Sequence, residues 1–250
     1  MSALQSRKVL GVGTTRPHLY PEVSNWCFSA IRKTRSMSAM RIISGSAAGC
    51  LLNVPKGFDV RPTPDLVKQA VFNSLGERVA GTRVLELFAG TGALSLECLS
   101  RGAVQAVCVE RSNRHAEFIR QNLEAARLDP ATLQIRAQDV FTALPQLAAA
   151  GATFDLVFAD PPYGEKNLGR RSTSLAQKLL DDPHLPAVLT VDGLFLLGHT
   201  KRDTLSIPAV WQERKLLKHG DSIFRIFRKP QKEIVGGLDS LQAQPPYATD

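Results

Sequence analysis

The chain has no long apolar run. Nothing in its 250 residues approaches the roughly 20 consecutive apolar positions that a membrane-spanning helix needs, and no secretory signal is read from it. Cysteine is scarce. The four present, Cys27, Cys50, Cys98 and Cys108, show no metal-ligand spacing, so no metal is expected. Cys98 and Cys108 fall in an expected helix and strand and read as buried, reduced thiols. There is no internal repeat. The G-x-G-x-x-G dinucleotide fingerprint is missing, and no Lys-Ser/Thr pair follows a glycine-rich loop, which removes a phosphate loop. Acidic residues are the minority charge, 23 against 31 Lys plus Arg, giving a formal net charge of +8. Such a balance points toward a polyanionic partner, although part of the excess lies in the first 39 residues.

What is present is a set of strand ends that carry chemistry. With 44% hydrophobic residues the chain can bury one full core. Phe154-Asp155-Leu156-Val157-Phe158-Ala159 reads as a buried strand of a parallel sheet. Asp160-Pro161-Pro162-Tyr163 follows it directly. An acid there lies at the carboxyl edge, where open α/β sheets bind ligands. The prolines fix the backbone and remove two N–H donors, leaving carbonyls free to accept. With the flat face of Tyr163, these acceptors suit a planar group bearing an exocyclic amine. The plainer alternative is a proline-stiffened turn.

Upstream, Arg83 to Glu97 reads as strand, glycine turn and helix. Gly90 and Gly92 permit the turn and a close ligand approach, and a helix beginning near Ala93 is expected to aim N–H groups at that ligand. Glu86 argues against a pyrophosphate and suits a cationic group, such as the amine of a methionine moiety. Val104 to Glu110 reads as a second strand ending in an acid, a position that commonly binds ribose hydroxyls. Leu133 to Val140 reads as a third strand with Asp139 just past its end. Asp139 suits an adenine amine or, equally, a helix N-cap.

Together these residues resemble the Rossmann-like, class I S-adenosylmethionine-dependent methyltransferases. Glycine turn, ribose acid, adenine acid and Asp-Pro-Pro-Tyr come in the order found in amino-methyltransferases. The resemblance implies cofactor contacts at Glu86, Phe88, Ala89, Gly90, Thr91, Gly92, Glu110, Arg111, Asp139, Val140 and Asp160, and catalysis by Asp160, Pro161, Pro162 and Tyr163. It narrows further on Met40-Arg41-Ile42-Ile43-x-Gly45, Arg61-Pro62-Thr63-x-Asp65, Phe72-Asn73 and Phe88 to Leu94. Over roughly Met40 to Lys229 the chain resembles the bacterial small-subunit (16S) rRNA guanine-N2 methyltransferase family, the small-subunit rRNA methyltransferase D-like proteins. Two positions depart from that pattern: Cys50 and Leu66 stand where the family usually carries Arg, which removes positive charge from the presumed RNA side.

The implied fold is α/β: a Rossmann-like seven-stranded sheet, mostly parallel with an antiparallel last strand, plus a small N-terminal hairpin and helix over 40–80. The closing pair is expected at Trp211 to Leu217 and Ser222 to Arg228, turning at Gly220-Asp221. Implied RNA contacts are Arg41, Lys56, Arg61, Thr63, Lys166, Arg170 and Arg171, the last three in a basic loop that reads equally as a solvated helix start. His199 and His219 read as strand-end surface groups rather than catalysts. The expected domains are an extension over 1–39, a methyltransferase domain over 40–229 and a disordered tail over 230–250. The extension carries Arg7, Lys8, Arg16, Arg32, Lys33 and Arg35 against Glu22 alone. It reads as a disordered extension, an over-long gene model starting properly at Met37 or Met40, or an organellar transit peptide. A cytoplasmic location is expected, with plastid or mitochondrion if it is a transit peptide.

The expected partner is small-subunit ribosomal RNA or the assembling small subunit, with no membrane and no metal, and the enzyme a monomer. The rival enzyme reading is a DNA adenine-N6 methyltransferase, whose motif can be the same four residues, but the chain has no insertion large enough for a separate target-recognition domain. The rival from another class is a non-catalytic RNA-binding or ribosome-assembly factor on the same fold.

Overall fold

The computed structural model describes residues 40–55, 65–162 and 172–231. The expectations placed on 1–39, on Lys56, Arg61, Thr63, Tyr163, Lys166, Arg170 and Arg171, and on the tail from 232 lie outside the described residues. Seven strands form one sheet: β1 (Arg83–Leu87), β2 (Gln105–Val109), β3 (Leu133–Arg136), β4 (Phe154–Ala159), β5 (Leu189–Thr200), β6 (Gln212–His219) and β7 (Ser222–Arg228). The helices are α1 (Asp65–Leu75), α2 (Ala93–Ser100), α3 (Asn113–Ala125), α4 (Val140–Ala149) and α5 (Leu175–Leu180). The strand order is β3-β2-β1-β4-β5-β7-β6. The first five run parallel, and β7 lies antiparallel between β5 and β6. This is the class I methyltransferase sheet expected from the sequence.

The central strands are apolar on both faces because helices cover both. Alternation divides them. Val84, Ala106, Leu156, Phe158 and Leu196 join one core cluster with residues of α1, α2 and α3. Leu85, Leu87, Val107, Val109, Val157 and Phe195 join the other with residues of α4 and α5. Glu86 shares the face of Val84 and therefore looks toward α2. Trp211 fills the second cluster beyond β5, its ring 5.1 Å from that of Phe195 and its Nε1 donating to the Leu180 carbonyl at 3.1 Å.

The expected N-terminal hairpin is short: a bridge of Arg41 with Leu51, with Ile42 N–H donating to the Cys50 carbonyl at 2.9 Å and Leu52 N–H to the Met40 carbonyl at 2.8 Å. Side chains of α2 and α3 hold the rest of the segment. Glu97 accepts from the Ile43 and Ser44 N–H groups at 2.7 and 3.1 Å. Ser100 Oγ accepts from the Ala47 N–H at 2.9 Å and donates to the Ser44 carbonyl at 2.6 Å. Asn122 accepts from the Asn53 N–H at 2.6 Å. The apolar stripe expected on α1 also contains a cation: Lys68 is fully buried, donates to the Arg41 carbonyl and lies 3.6 Å from Asp65. Burial lowers its pKa, while Glu97 and Asp65 oppose the shift. Cys98 and Cys108 are buried free thiols, and burial raises both pKa values well above the ordinary range.

Candidate active site

Four strand ends converge because of strand order. Leu87 pairs with Ala159, so the turn beginning at Phe88 and the motif beginning at Asp160 leave the same edge of adjacent strands. Leu87 also pairs with Val109, and Val109 with Arg136, so Glu110 and the β3–α4 connection reach that edge too. Asp139, Glu110, the glycine turn and Asp160 therefore stand in line across the carboxyl edge. At about 4.8 Å per strand, three intervals span roughly 14 Å.

The turn is sharply bent. Phe88, Gly90 and Gly92 all have positive φ, at 56°, 55° and 73°. The two glycines serve different ends. A Cβ at Gly90 would meet nothing nearer than the Phe88 carbonyl at 4.0 Å, so the turn's face is open to a ligand. A Cβ at Gly92 would lie 2.9 Å from Ile119 Cγ2, so that glycine lets α3 pack against the turn. Phe88 meets the Phe141 ring edge-on with centroids 6.3 Å apart. Ala89 and Thr91 are buried, and Thr91 Oγ1 donates to Met40 Sδ at 3.4 Å. Asn122 donates to the Thr91 carbonyl at 3.1 Å, tying the turn to α3.

Glu86 corrects an expectation. Its carboxylate does not reach toward a cationic ligand. It is buried, and its oxygens accept from the Leu94 and Ser95 N–H groups at 3.3 and 2.8 Å. Those first-turn donors of α2, expected to face the ligand, are thus spent on Glu86. The reason lies in the pleat: Glu86 faces α2, not the sheet edge. Burial raises its carboxyl to about 7, against the opposing effect of its hydrogen bonds to Ser95 and Leu94.

Glu110 joins two loops. It accepts from the Gly90 N–H and the Ser112 N–H, each at 2.8 Å, and its Oε1 lies 3.6 Å from His115 Nδ1. Arg111 beside it is exposed. Asp139 caps α4, accepting from the Phe141 N–H at 2.9 Å, with Val140 buried behind it. The N-cap alternative is realised there, and Asp139 stays half-buried at the edge. Arg41 is exposed and ion-paired with Asp65 at 3.3 Å.

Asp160 is half-buried, Pro161 buried and Pro162 exposed. Gly198 of β5 flanks them. A Cβ there would stand 2.9 Å from Phe224 Cζ, 3.0 Å from Asp160 Cγ and closer still to Asp160 Oδ1. Glycine at 198 is what lets the Asp160 carboxylate lie across β5. A small pocket beyond the motif is lined by Pro161, Pro162, Ser174, Gly198, His199 and Asp203, among others.

His199 is not the surface group expected; it is buried. Its Nδ1 lies 2.9 Å from the Thr200 carbonyl, and Arg225 Nε donates to its Nε2 at 3.0 Å. A carbonyl only accepts and a guanidinium only donates, so the ring is the neutral Nδ1–H tautomer. Burial and then Arg225 lower its pKa, in the same sense. Arg225 is held in turn by Glu213. Gly198, His199 and Asp203 were not assigned to the site from sequence, where their only signal was a place at the end of a strand parallel to β4. Among the described residues, no cluster of His, Cys, Asp and Glu is arranged to hold a metal, and no helix is long and apolar enough to cross a membrane.

The chain is similar to several known proteins. YlbH of Bacillus subtilis (strain 168), provisionally named an rRNA methyltransferase, is 35% identical over 162 residues, covering 65% of this chain and 83% of its own. Ribosomal RNA small subunit methyltransferase D of Escherichia coli (strain K12) is 29% identical over 205 residues, covering 80% and 94%. Among solved structures, an Escherichia coli chain provisionally titled methyltransferase yhhF superposes with a TM-score of 0.62 at 26% identity, covering 77% of this chain and 98% of its own. The Thermus thermophilus 16S rRNA N2 G1207 methyltransferase, solved with AdoMet and guanosine, gives 0.52 at 26% identity, covering 72% and 46%. The family model described as Conserved hypothetical protein 95 matches residues 40–228, and the chain belongs to that family of methyltransferase-fold proteins.

Proposed function

We propose that this chain transfers the methyl group of S-adenosylmethionine to the exocyclic N2 amine of a guanine in small-subunit ribosomal RNA, and that residues 40–229 form the catalytic domain. One observation carries the reading: Asp160-Pro161-Pro162 leaves β4 directly beside the glycine turn leaving β1. An amine acceptor and a cofactor cradle thus share one edge. The names of the relatives, rRNA methyltransferases including a small-subunit enzyme, support the substrate class.

The residues fit the cofactor by shape and chemistry. The line of roughly 14 Å suits an extended nucleoside joined to an amino acid. Asp139 would take the adenine end and Glu110 the ribose hydroxyls. Glu110 is pre-aimed by its two backbone bonds. The open face at Gly90 would admit the amino-acid end. When bound, S-adenosylmethionine supplies a methyl group already activated by its positively charged sulfur.

The protein's remaining task is positioning. The lone pair of the guanine amine is delocalised into the ring, which makes it a poor nucleophile. The Asp160 carboxylate and the Pro161 carbonyl accept its two N–H groups and draw the nitrogen toward tetrahedral geometry. Its lone pair is then aimed at the methyl carbon. As the N–C bond forms, the C–S bond breaks. The nitrogen, now cationic, sheds one proton to Asp160 or to water. No strong base is needed beforehand, and orientation and charge placement carry most of the rate. Tyr163 would stack on the base once it has left its RNA stack.

Labelled methyl transfer to small ribosomal subunits lacking their guanine-N2 marks tests this, with duplex DNA in parallel. The expected product is N2-methylguanosine in the RNA, absent with Asp160→Ala. Label recovered as N6-methyladenine in DNA, or no transfer despite cofactor binding, would overturn it.

A further inference from the structure

Beyond β5 the chain turns away from the sheet, and Asp203 N–H donates to the Thr200 carbonyl at 3.1 Å. The Asp203 side chain is then folded inward, leaving the residue only 7% exposed. Its Oδ1 is buried without a hydrogen-bond partner. Asp203 lines the pocket that holds Pro161 and Pro162 of the catalytic motif. An ionised aspartate is an acceptor only, and burying one oxygen unpaired is unfavourable unless a ligand completes it. The neighbouring side chains of His199 and Ser174 are already engaged. Both ring nitrogens of His199 have partners. Ser174 Oγ accepts from the Gln177 N–H at 3.1 Å and lies 2.9 Å from Ser172 Oγ.

We propose that Asp203 reads the target base, its Oδ1 accepting the ring N1–H of guanine while Asp160 and Pro161 hold the adjacent N2 amine. This rests on the reading of the site as a guanine-N2 methyltransferase and names the residue that makes it guanine-specific. Guanine carries N1–H and the N2 amine side by side on its Watson–Crick edge. A purine with the same amine but a bare ring nitrogen at N1 turns a lone pair toward the carboxylate and is rejected. Unpaired buried groups of this kind discriminate more strongly than apolar contacts do.

The test uses the full chain saturated with S-adenosylhomocysteine, and two probes: GMP and 2-aminoadenosine 5′-monophosphate, which keeps the N2 amine but lacks N1–H. Calorimetry should find wild type preferring GMP by about tenfold, the ratio one hydrogen bond of ordinary net strength supports. Asp203→Ala should lose the preference. Asp203→Asn, whose amide can donate to a bare N1, should bring the ratio to one or reverse it. S-adenosylhomocysteine affinity and melting temperature identify folded variants. Wild type without a preference, needing no variant at all, overturns the assignment, as do folded variants that keep it. Failure of the underlying reading shows separately, as wild-type protein that leaves no N2-methylguanosine in small-subunit RNA.

Discussion

Gly198→Ala is a one-carbon test of how Asp160 is held. The new Cβ would sit 3.0 Å from Asp160 Cγ and 2.9 Å from Phe224 Cζ. Carbon atoms in comfortable contact stand about 3.5–4.0 Å apart. Phe224 is buried on β7, paired directly with Gly198, and has little room to retreat. The carboxylate is half-buried at the edge and is the group that yields, by roughly 1 Å. Displacement of that size costs about 10²-fold in rate, or about 2.7 kcal/mol of barrier. Overpacking should cost a further ~1–3 kcal/mol of stability, lowering Tm by roughly 2–12 °C. Single-turnover methyl transfer below the variant's Tm, beside S-adenosylhomocysteine binding, separates these effects. Gly193→Ala is the control. It lies in the same strand, and its Cβ would meet the side chains of Leu189 and Thr190, each at 2.8 Å, away from Asp160. That variant should lose stability and keep its rate. A folded Gly198→Ala protein with the wild-type rate would refute the positioning argument.

Asp160→Ala should reduce turnover by at least about 10²–10³-fold, the scale of removing one preorganised electrostatic partner. Cofactor binding, measured by calorimetry, should be largely kept; comparable loss of both would reject the division of roles between β4 and β1. Glu86 predicts a pH effect of defined sign. Its carboxyl is raised from 4.5 to about 7, so the folded state holds the proton more tightly than the unfolded chain. The contribution is complete below pH 4.5 and is lost as pH rises to about 7, amounting to about 3 kcal/mol. Glu86→Gln should therefore gain that much relative to wild type between pH 4.5 and 8, seen in paired denaturant titrations; parallel curves would contradict it. Asn122→Ala removes the bonds to Asn53 and Thr91. It should cost roughly 2–3 kcal/mol, and a thermal scan matching wild type would show those bonds to be idle.

The parallel strands were readable because continuous apolar runs such as Phe154 to Ala159 have few other uses in a chain this size. Their order was not, yet order is what puts Glu110 and Asp160 on either side of the glycine turn. Glu86 marks where local reading stops. A carboxylate at the end of an apolar run is visible, but whether it meets a ligand or the first turn of α2 depends on which face the pleat presents. Lys68 shows the same limit: its burial depends on the Arg41 carbonyl, 27 positions earlier. His199 and Asp203 lie in Gly198-His199-Thr200-Lys201-Arg202-Asp203, a polar segment with no motif spacing. Only the pairing of β5 with β4 and β7 brings them to the pocket.

The segment 40–55 has a consequence for assembly on the ribosome. Four of its backbone N–H groups, those of Ile43, Ser44, Ala47 and Asn53, are satisfied by Glu97, Ser100 and Asn122, at separations of 53 to 69 residues. At about 5–20 residues per second, the Asn122 partner of Asn53 emerges roughly 3–14 s after it. Over that interval the segment has only its own hairpin bonds, such as Ile42 N–H to the Cys50 carbonyl and Leu52 N–H to the Met40 carbonyl. Met40 can rest against Thr91, 51 positions later, only once the glycine turn has been made.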